Sequence, residues 1–178
     1  MSSKEARRKK MAAGYSSTKR FFDTLGLVIF YVLLWVGAWQ LIGAHWQWWL
    51  VAPLCFVIAL LLADFFSGIV HWAADTWGTY DEQSSSATWI RPFRHHHIDP
   101  QSIVRHSFVE RNGSATLVVL PILVGMLFIK PASFVSFSIK LGLFFFSLGI
   151  NLTNQHHAWA HSAHVPAAIS WLQKLRLF

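Results

Sequence analysis

The sequence predicts an all-α integral membrane bundle of about four transmembrane helices carrying a histidine-rich metal site on its cytoplasmic side. Three observations lead there. Hydrophobic residues make up 54% of the 178-residue chain and charged residues only 13%, which is more apolar than an ordinary soluble domain. Four apolar stretches approach the ~20 residues that a helix needs to cross a bilayer. Ten histidines are present, and most fall in short clusters beside those stretches, where ionisable groups are costly and signal function.

Residues 1–20 are expected to be a basic, disordered tail, and residues 21–178 the membrane domain. Seven of the fifteen Lys and Arg precede the first span: Lys4, Arg7, Arg8, Lys9, Lys10, Lys19 and Arg20. The net charge of +7 thus follows membrane topology and not a nucleic-acid surface, and no nucleic-acid partner is expected. Positive charge marks the cytoplasmic side. The tail, the long central loop with Arg91, Arg94, Arg105 and Arg111, and the C-terminal end with Lys174 and Arg176 are then cytoplasmic. Every histidine cluster lies on that side, and only His45 on the other. The first apolar run is longer than a signal-peptide core and lacks a small-residue cleavage site, so it is read as a retained anchor.

The first span is placed at Leu25–Ile42 and the second at Trp48–Trp72. They form a hairpin turning at His45–Trp49, where Trp46, Trp48 and Trp49 read as an interfacial aromatic belt that includes His45. A long loop over 73–113 follows. Asp99 is expected to cap a short helix with Pro100 in its first turn, running to Arg111 and stopping at Asn112-Gly113. The third span is placed at Ala115–Ile129, with Pro121 inside it. The fourth is Ser133–Thr153, where Lys140 would snorkel toward an interface. An amphipathic tail closes the chain. The single cysteine, Cys55, excludes an intrachain disulfide and a Cys-rich metal or iron–sulfur site.

Three constellations carry chemistry. Asp64, Gly68, His71 and Asp75 share one face of a helix, with Gly68 leaving room for a close neighbour. His71 and Asp75 read as metal ligands, against the plainer alternative of a polar helix end facing water. Asp64 lies deeper and reads as a partner of a ligand or a helix-packing group. Near the end of the fourth span, Asn154, His157, His161 and His164 recur on one face, and Asn154 reads as a partner of a ligand. His157 and His161 are an i,i+4 pair able to grip one metal, whereas His156 points about 100° away. In the central loop, His96 and His97 precede the capped helix, His106 lies within it, and Glu110 stands one turn on to orient the His106 ring. Arg91 and Arg94 suit a phospholipid phosphate, or are simply positive-inside residues. Six histidines from three segments exceed the three or four ligands of one zinc and suggest two ions. Nitrogen-rich ligation without thiolate suits iron, although zinc and copper accept such ligands too. A haem held by two histidines on facing helices is the competing, non-enzymatic reading, and it leaves the other histidines unexplained. A metal-binding scaffold is a third.

The wording of four segments resembles the Kua/CarF family of lipid desaturases, the plasmanylethanolamine desaturases. They are Asp64-Phe-Phe-Ser-Gly-Ile-Val-His-Trp-Ala-Ala-Asp-Thr-Trp-Gly78, Ile90-Arg-Pro-Phe-Arg-His-His-His-Ile-Asp-Pro100, Arg105-His-Ser-Phe-Val-Glu-Arg-Asn-Gly113 and Thr153-Asn-Gln-His-His-Ala-Trp-Ala-His161. The resemblance runs from Leu54 to the C-terminus. It implies a His-ligated di-iron oxidoreductase that desaturates a lipid chain with O2 and two electrons from a donor such as cytochrome b5 or ferredoxin. The expected product is the vinyl ether bond of plasmalogens, made from alkyl-ether ethanolamine phospholipids; a plastid branch instead desaturates the acyl chain of phosphatidylglycerol. His71, His96, His97, His106, His157 and His161 match the family's histidines and Asp75 its acid, while His95 and His156 fall at variable positions. The implied location is a bacterial inner membrane or the endoplasmic reticulum. Family members continue past the equivalent of Phe178 into another histidine-paired segment, so a C-terminally truncated chain with an incomplete metal site is expected.

Overall fold

The computed structural model describes residues 16–77, 90, 93–94 and 97–175. Helix α1 spans Ser17–Ile42. A 3-10 turn, Trp46–Val51, leads into α2, Ala52–Thr76. A single-turn helix α3, Ser102–Arg105, precedes α4, Phe108–Leu127. Helix α5 is Phe134–His161, and the short α6 is Ala167–Lys174. Among the described residues, four helices (α1, α2 with its 3-10 turn, α4 and α5) are long and apolar enough to cross a membrane.

Serine side chains start three of them. Ser16 Oγ accepts from Lys19 N at 3.1 Å, Ser107 Oγ from Glu110 N at 3.3 Å, and Ser133 forms a reciprocal capping box with Ser136. Each cap satisfies a backbone donor that would otherwise lack a partner at a helix start. The caps move two boundaries from their expected positions. Helix α1 begins at Ser17, so Ser17–Arg20 are helical and not part of a disordered tail. Helix α4 begins at Phe108, after a break at His106–Ser107. The expected helix from Pro100 to Arg111 is therefore two helices. The N-cap of α3 is Gln101 and not Asp99, whose carboxylate accepts from Arg105, with Nη2 2.5 Å from Oδ2.

The four long helices pack in the order α1, α4, α5, α2. Consecutive α1 and α2 are thus not a close hairpin, since their contacts run through α4 and α5. Lipid tails are as apolar as leucine, so close backbone approach and hydrogen bonds must hold membrane helices together. Both are present. Asn112 and Gly113, expected to end a helix, lie buried inside α4. A Cβ on Gly113 would stand 2.4 Å from Asp23 Cβ, so this glycine lets α1 touch α4 and does not terminate anything. Gly149 does the same for α5 and α2, where a Cβ would stand 2.8 Å from Ala63 Cβ.

A polar ladder crosses the bundle. Tyr31 Oη donates to Asn151 Oδ1 at 3.1 Å, Asn151 Nδ2 to Thr116 Oγ1 at 2.5 Å, and Thr116 Oγ1 to the Asn112 carbonyl at 2.9 Å. Lys140 does not snorkel. It is fully buried, and its ammonium donates to the Gln40 side chain, to the Ile129 carbonyl at 2.9 Å and to the Met126 carbonyl at 3.2 Å. The cation therefore sits on carbonyls at and just beyond the end of α4, where the helix dipole favours positive charge. Pro121 lies inside α4, where it leaves the Leu117 carbonyl without its usual helical donor. Helix α2 fully buries only Ala59 and Ala63 and leaves many of its large apolar side chains exposed, as a lipid-facing helix does.

Candidate metal centre

The site forms where α2 and α5 end. His71 and Asp75 are one turn apart near the end of α2, with Nε2 3.2 Å from Oδ2. His97 comes from the segment between α2 and α3, expected to be loop, where Phe93, Arg94, His97 and Ile98 are helical. Its Nε2 stands 2.8 Å from the same Asp75 oxygen and 3.3 Å from His71 Nε2. These three donor atoms lie within 4.8 Å of one another. The second Asp75 oxygen, Oδ1, is buried without a protein hydrogen-bond partner, and leaving such an atom unpartnered is costly. The Phe93 ring stands edge-on to His71, with ring centres 5.2 Å apart, and walls one side. The cluster is half-open: the side chains of His71, Asp75 and His97 are 32%, 29% and 58% exposed.

Two imidazole nitrogens and a carboxylate oxygen facing one another fit a transition-metal ion. This is the donor set of two-histidine, one-carboxylate sites that leave coordination positions open. The orphaned Oδ1 adds capacity for a further bond. Among the described residues this is the group of three such donors close enough to share an ion.

A second pair stands nearby. His157 and His161, one turn apart on α5, have ring centres 4.9 Å apart. His157 lies within electrostatic reach of His161, His71 and His97, which places this pair beside the α2 cluster. His106, in the break between α3 and α4, has Nδ1 2.6 Å from Glu110 Oε1. His156 points elsewhere and stacks on Trp159, with ring centres 5.6 Å apart.

Other expected residues have different roles. His96, His95 and Arg91 lie outside the described residues. His164 does not share the His157 face, because α5 ends at His161 and His164 lies in the following turn, exposed. Asn154 orients no histidine: its Nδ2 donates to the Arg111 carbonyl at 2.8 Å and joins α5 to α4. Asp64 is exposed on α2, with its charge acting on His156. Gly68 admits no close neighbour, with nothing within 4 Å of where its Cβ would be. Arg94 is engaged with backbone. Its Nε donates to the Ala74 carbonyl at 3.1 Å, and its Nη2 to the carbonyls of Asp75 and Trp77, each at 3.2 Å. His45, at the far end of α2 from this site, packs edge-on against Trp48, with ring centres 4.9 Å apart.

Sequence reasoning missed Gln101, whose Nε2 donates to the His161 carbonyl at 3.3 Å. No pattern in the chain singles out one loop glutamine. Arg94 lies too far along the chain from Thr76 for its place at the end of α2 to be read from sequence.

A model of the lipid desaturase domain matches residues 60–178. The chain is 35% identical over 171 residues to a plasmanylethanolamine desaturase of Myxococcus xanthus, covering 94% of this chain and 59% of that protein. It is 38% identical over 160 residues to plasmanylethanolamine desaturase 1 of Mus musculus, covering 86% of this chain and 59% of that protein. A chloroplastic fatty acid desaturase 4-like protein of Arabidopsis thaliana is 30% identical over 141 residues, covering 76% of this chain and 44% of that protein. The chain therefore spans about 59% of the length of its first two relatives. No solved structure matches. A domain match over the greater part of the chain, ending through the segments that bear His71, Asp75, His97, His106, His157 and His161, places this chain in the lipid desaturase family.

Proposed function

We propose that this chain forms the membrane-spanning part of an iron-dependent lipid desaturase that introduces the vinyl ether bond of plasmalogens. The observation that carries the reading is the His71–Asp75–His97 cluster at the end of a membrane-spanning helix. Iron bound there would supply O2 activation. The balance is one –CH2–CH2– unit, one O2, two electrons and two protons giving one –CH=CH– unit and two waters. The electrons come from a one-electron carrier such as cytochrome b5 or ferredoxin.

The protein's own groups have separable tasks. His71 and Asp75 are preset by one helix turn, and His97 completes the set from the loop. Phe93 shields one side of His71 from water. Glu110 holds one His106 nitrogen, which fixes the ring's orientation. His157 and His161, with His106 and His96, would provide a second set of nitrogens for a second iron. By the positive-inside distribution, the centre and the N-terminus face the cytoplasm. A centre at headgroup depth reaches carbons next to the headgroup and not the middle of a chain. That depth suits C1–C2 of an alkyl ether.

The similarity to the chloroplastic desaturases favours one alternative, an acyl chain desaturated close to its carboxyl end. Mass spectrometry of lipids from cells expressing the protein separates the two. Acid-labile vinyl ether species should appear with the wild type and disappear with His71→Ala. New double bonds only in acyl chains near the carbonyl would favour the alternative, and bonds only in mid-chain would refute both. An intense Soret band from the purified protein would replace this reading with a haem protein.

A further inference from the structure

The last carbonyls of a helix have no partner within the helix, and α2 and α5 both end at the metal centre. At the end of α2, the Ala73 carbonyl accepts from Trp77 N at 2.9 Å. The Ala74, Asp75 and Trp77 carbonyls accept from the Arg94 guanidinium. At the end of α5, the His161 carbonyl accepts from Gln101, and α3, immediately after Gln101, packs on α5.

Arg94 and Gln101 belong to the same loop, and His97 lies between them. The loop is braced internally. Ser102 N donates to the Asp99 carbonyl at 2.9 Å, and Asp99 is largely buried beneath its ion pair with Arg105. The close crossing of α2 and α5, at Ala63 and Gly149, lies about 12 Å along α2 from His71 at the rise of an α-helix. Phe66 of α2 packs on Phe146 of α5 beyond that crossing, with ring centres 5.9 Å apart, and the Arg94 and Gln101 contacts lie further on, at the helix ends themselves.

We propose that Arg94 and Gln101, on either side of His97, act together as a clasp and are positioning residues. Each holds the end of one histidine-bearing helix. Together they set the separation of His71 and Asp75 from His157 and His161 and deliver His97 between them. Arginine suits the first task because its planar fork serves several carbonyls at once and its charge complements the negative end of α2. Lysine, a compact point charge, serves fewer. The clasp is defined by the contacts of Arg94 and Gln101 with carbonyls at the helix ends. Its importance for metal binding rests on the function proposed above.

The test uses metal-free protein in lipid nanodiscs. Spin labels are placed at Thr76→Cys and Ala160→Cys in a Cys55→Ser background, and the distance distribution is read by pulsed electron resonance. We expect one narrow distribution for the parent, at least a doubling of its width with Arg94→Ala, and smaller broadening with Gln101→Ala and Arg94→Lys. Superimposable distributions for the parent, Arg94→Lys and Gln101→Ala would overturn the clasp, even if Arg94→Ala fails to fold.

Cobalt(II) titration of the unlabelled protein gives the second readout. Arg94→Ala should weaken binding about tenfold, as loss of a group that orients a ligand does. Unchanged cobalt affinity with weakened phospholipid binding would return Arg94 to a headgroup role and refute the proposal. Failure of the parent to bind cobalt would count against the metal centre, while the distance measurement still judges the clasp.

Discussion

Asp75 has one carboxylate oxygen shared by two histidines and another that is buried without a partner. That asymmetry makes it the informative residue of the cluster. Asp75→Asn keeps the size and removes the negative charge, and the new amide nitrogen is a donor facing two imidazoles. Metal affinity should fall at least tenfold, measured by iron content and by cobalt titration, with helical content unchanged by circular dichroism. Full metal occupancy in Asp75→Asn would remove the carboxylate from the ligand set. Glu110 stands one step further out. Its carboxylate is 2.6 Å from His106 Nδ1 and touches neither of the other histidine groups in any described contact. Glu110→Gln should therefore lower activity roughly tenfold by loosening one ring, and Glu110→Ala should lower it further. No loss of activity in either variant would mean that the carboxylate orients nothing.

The long helices were legible as elements because apolar runs of this length have few other uses, and the His71–Asp75 and His157–His161 pairs were legible from helical spacing alone. What escaped were the positions where packing overrides local grammar. Asn112-Gly113 reads as a helix stop, yet the glycine lies within α4 because Asp23 of α1 presses against it. Lys140 reads as a snorkelling cation, yet it reaches carbonyls at the end of the neighbouring helix, whose position no local pattern reveals. His164 reads as one more residue of a helical stripe, yet the helix ends first. The Gly113 contact is testable. Gly113→Ala places a methyl group where the Asp23 Cβ stands, so α1 and α4 must part. Overpacking of this kind costs about 1–3 kcal/mol, read as a lower unfolding midpoint in detergent. Gly68→Ala, which meets nothing within 4 Å, should cost no more than a few tenths of a kcal/mol and can gain slightly from better helix propensity. Equal losses at the two glycines would mean that the α1–α4 approach is not tight.

At the scale of the whole molecule, the order α1, α4, α5, α2 brings the ends of α2 and α5 together with the loop that joins α2 to α4. Four crossings then require the loop, the His157–His161 end of α5 and the start of α1 to share one side of the membrane, with the Trp46–Val51 turn on the other. The proposed orientation, taken from the positive residues, puts the first side in the cytoplasm. The protein has one native cysteine, Cys55, within α2, so a Cys55→Ser background gives clean single-cysteine probes. Gly43→Cys lies in open space beyond the end of α1, and it should react with a membrane-impermeant maleimide added to intact cells. Ser107→Cys sits in the break before α4 and Ala163→Cys in the exposed turn after α5, and both should react only after the membrane is opened. Labelling of all three from outside would break the four-span topology. The inverse pattern would keep the four spans but turn the metal centre outward, away from any cytoplasmic electron carrier.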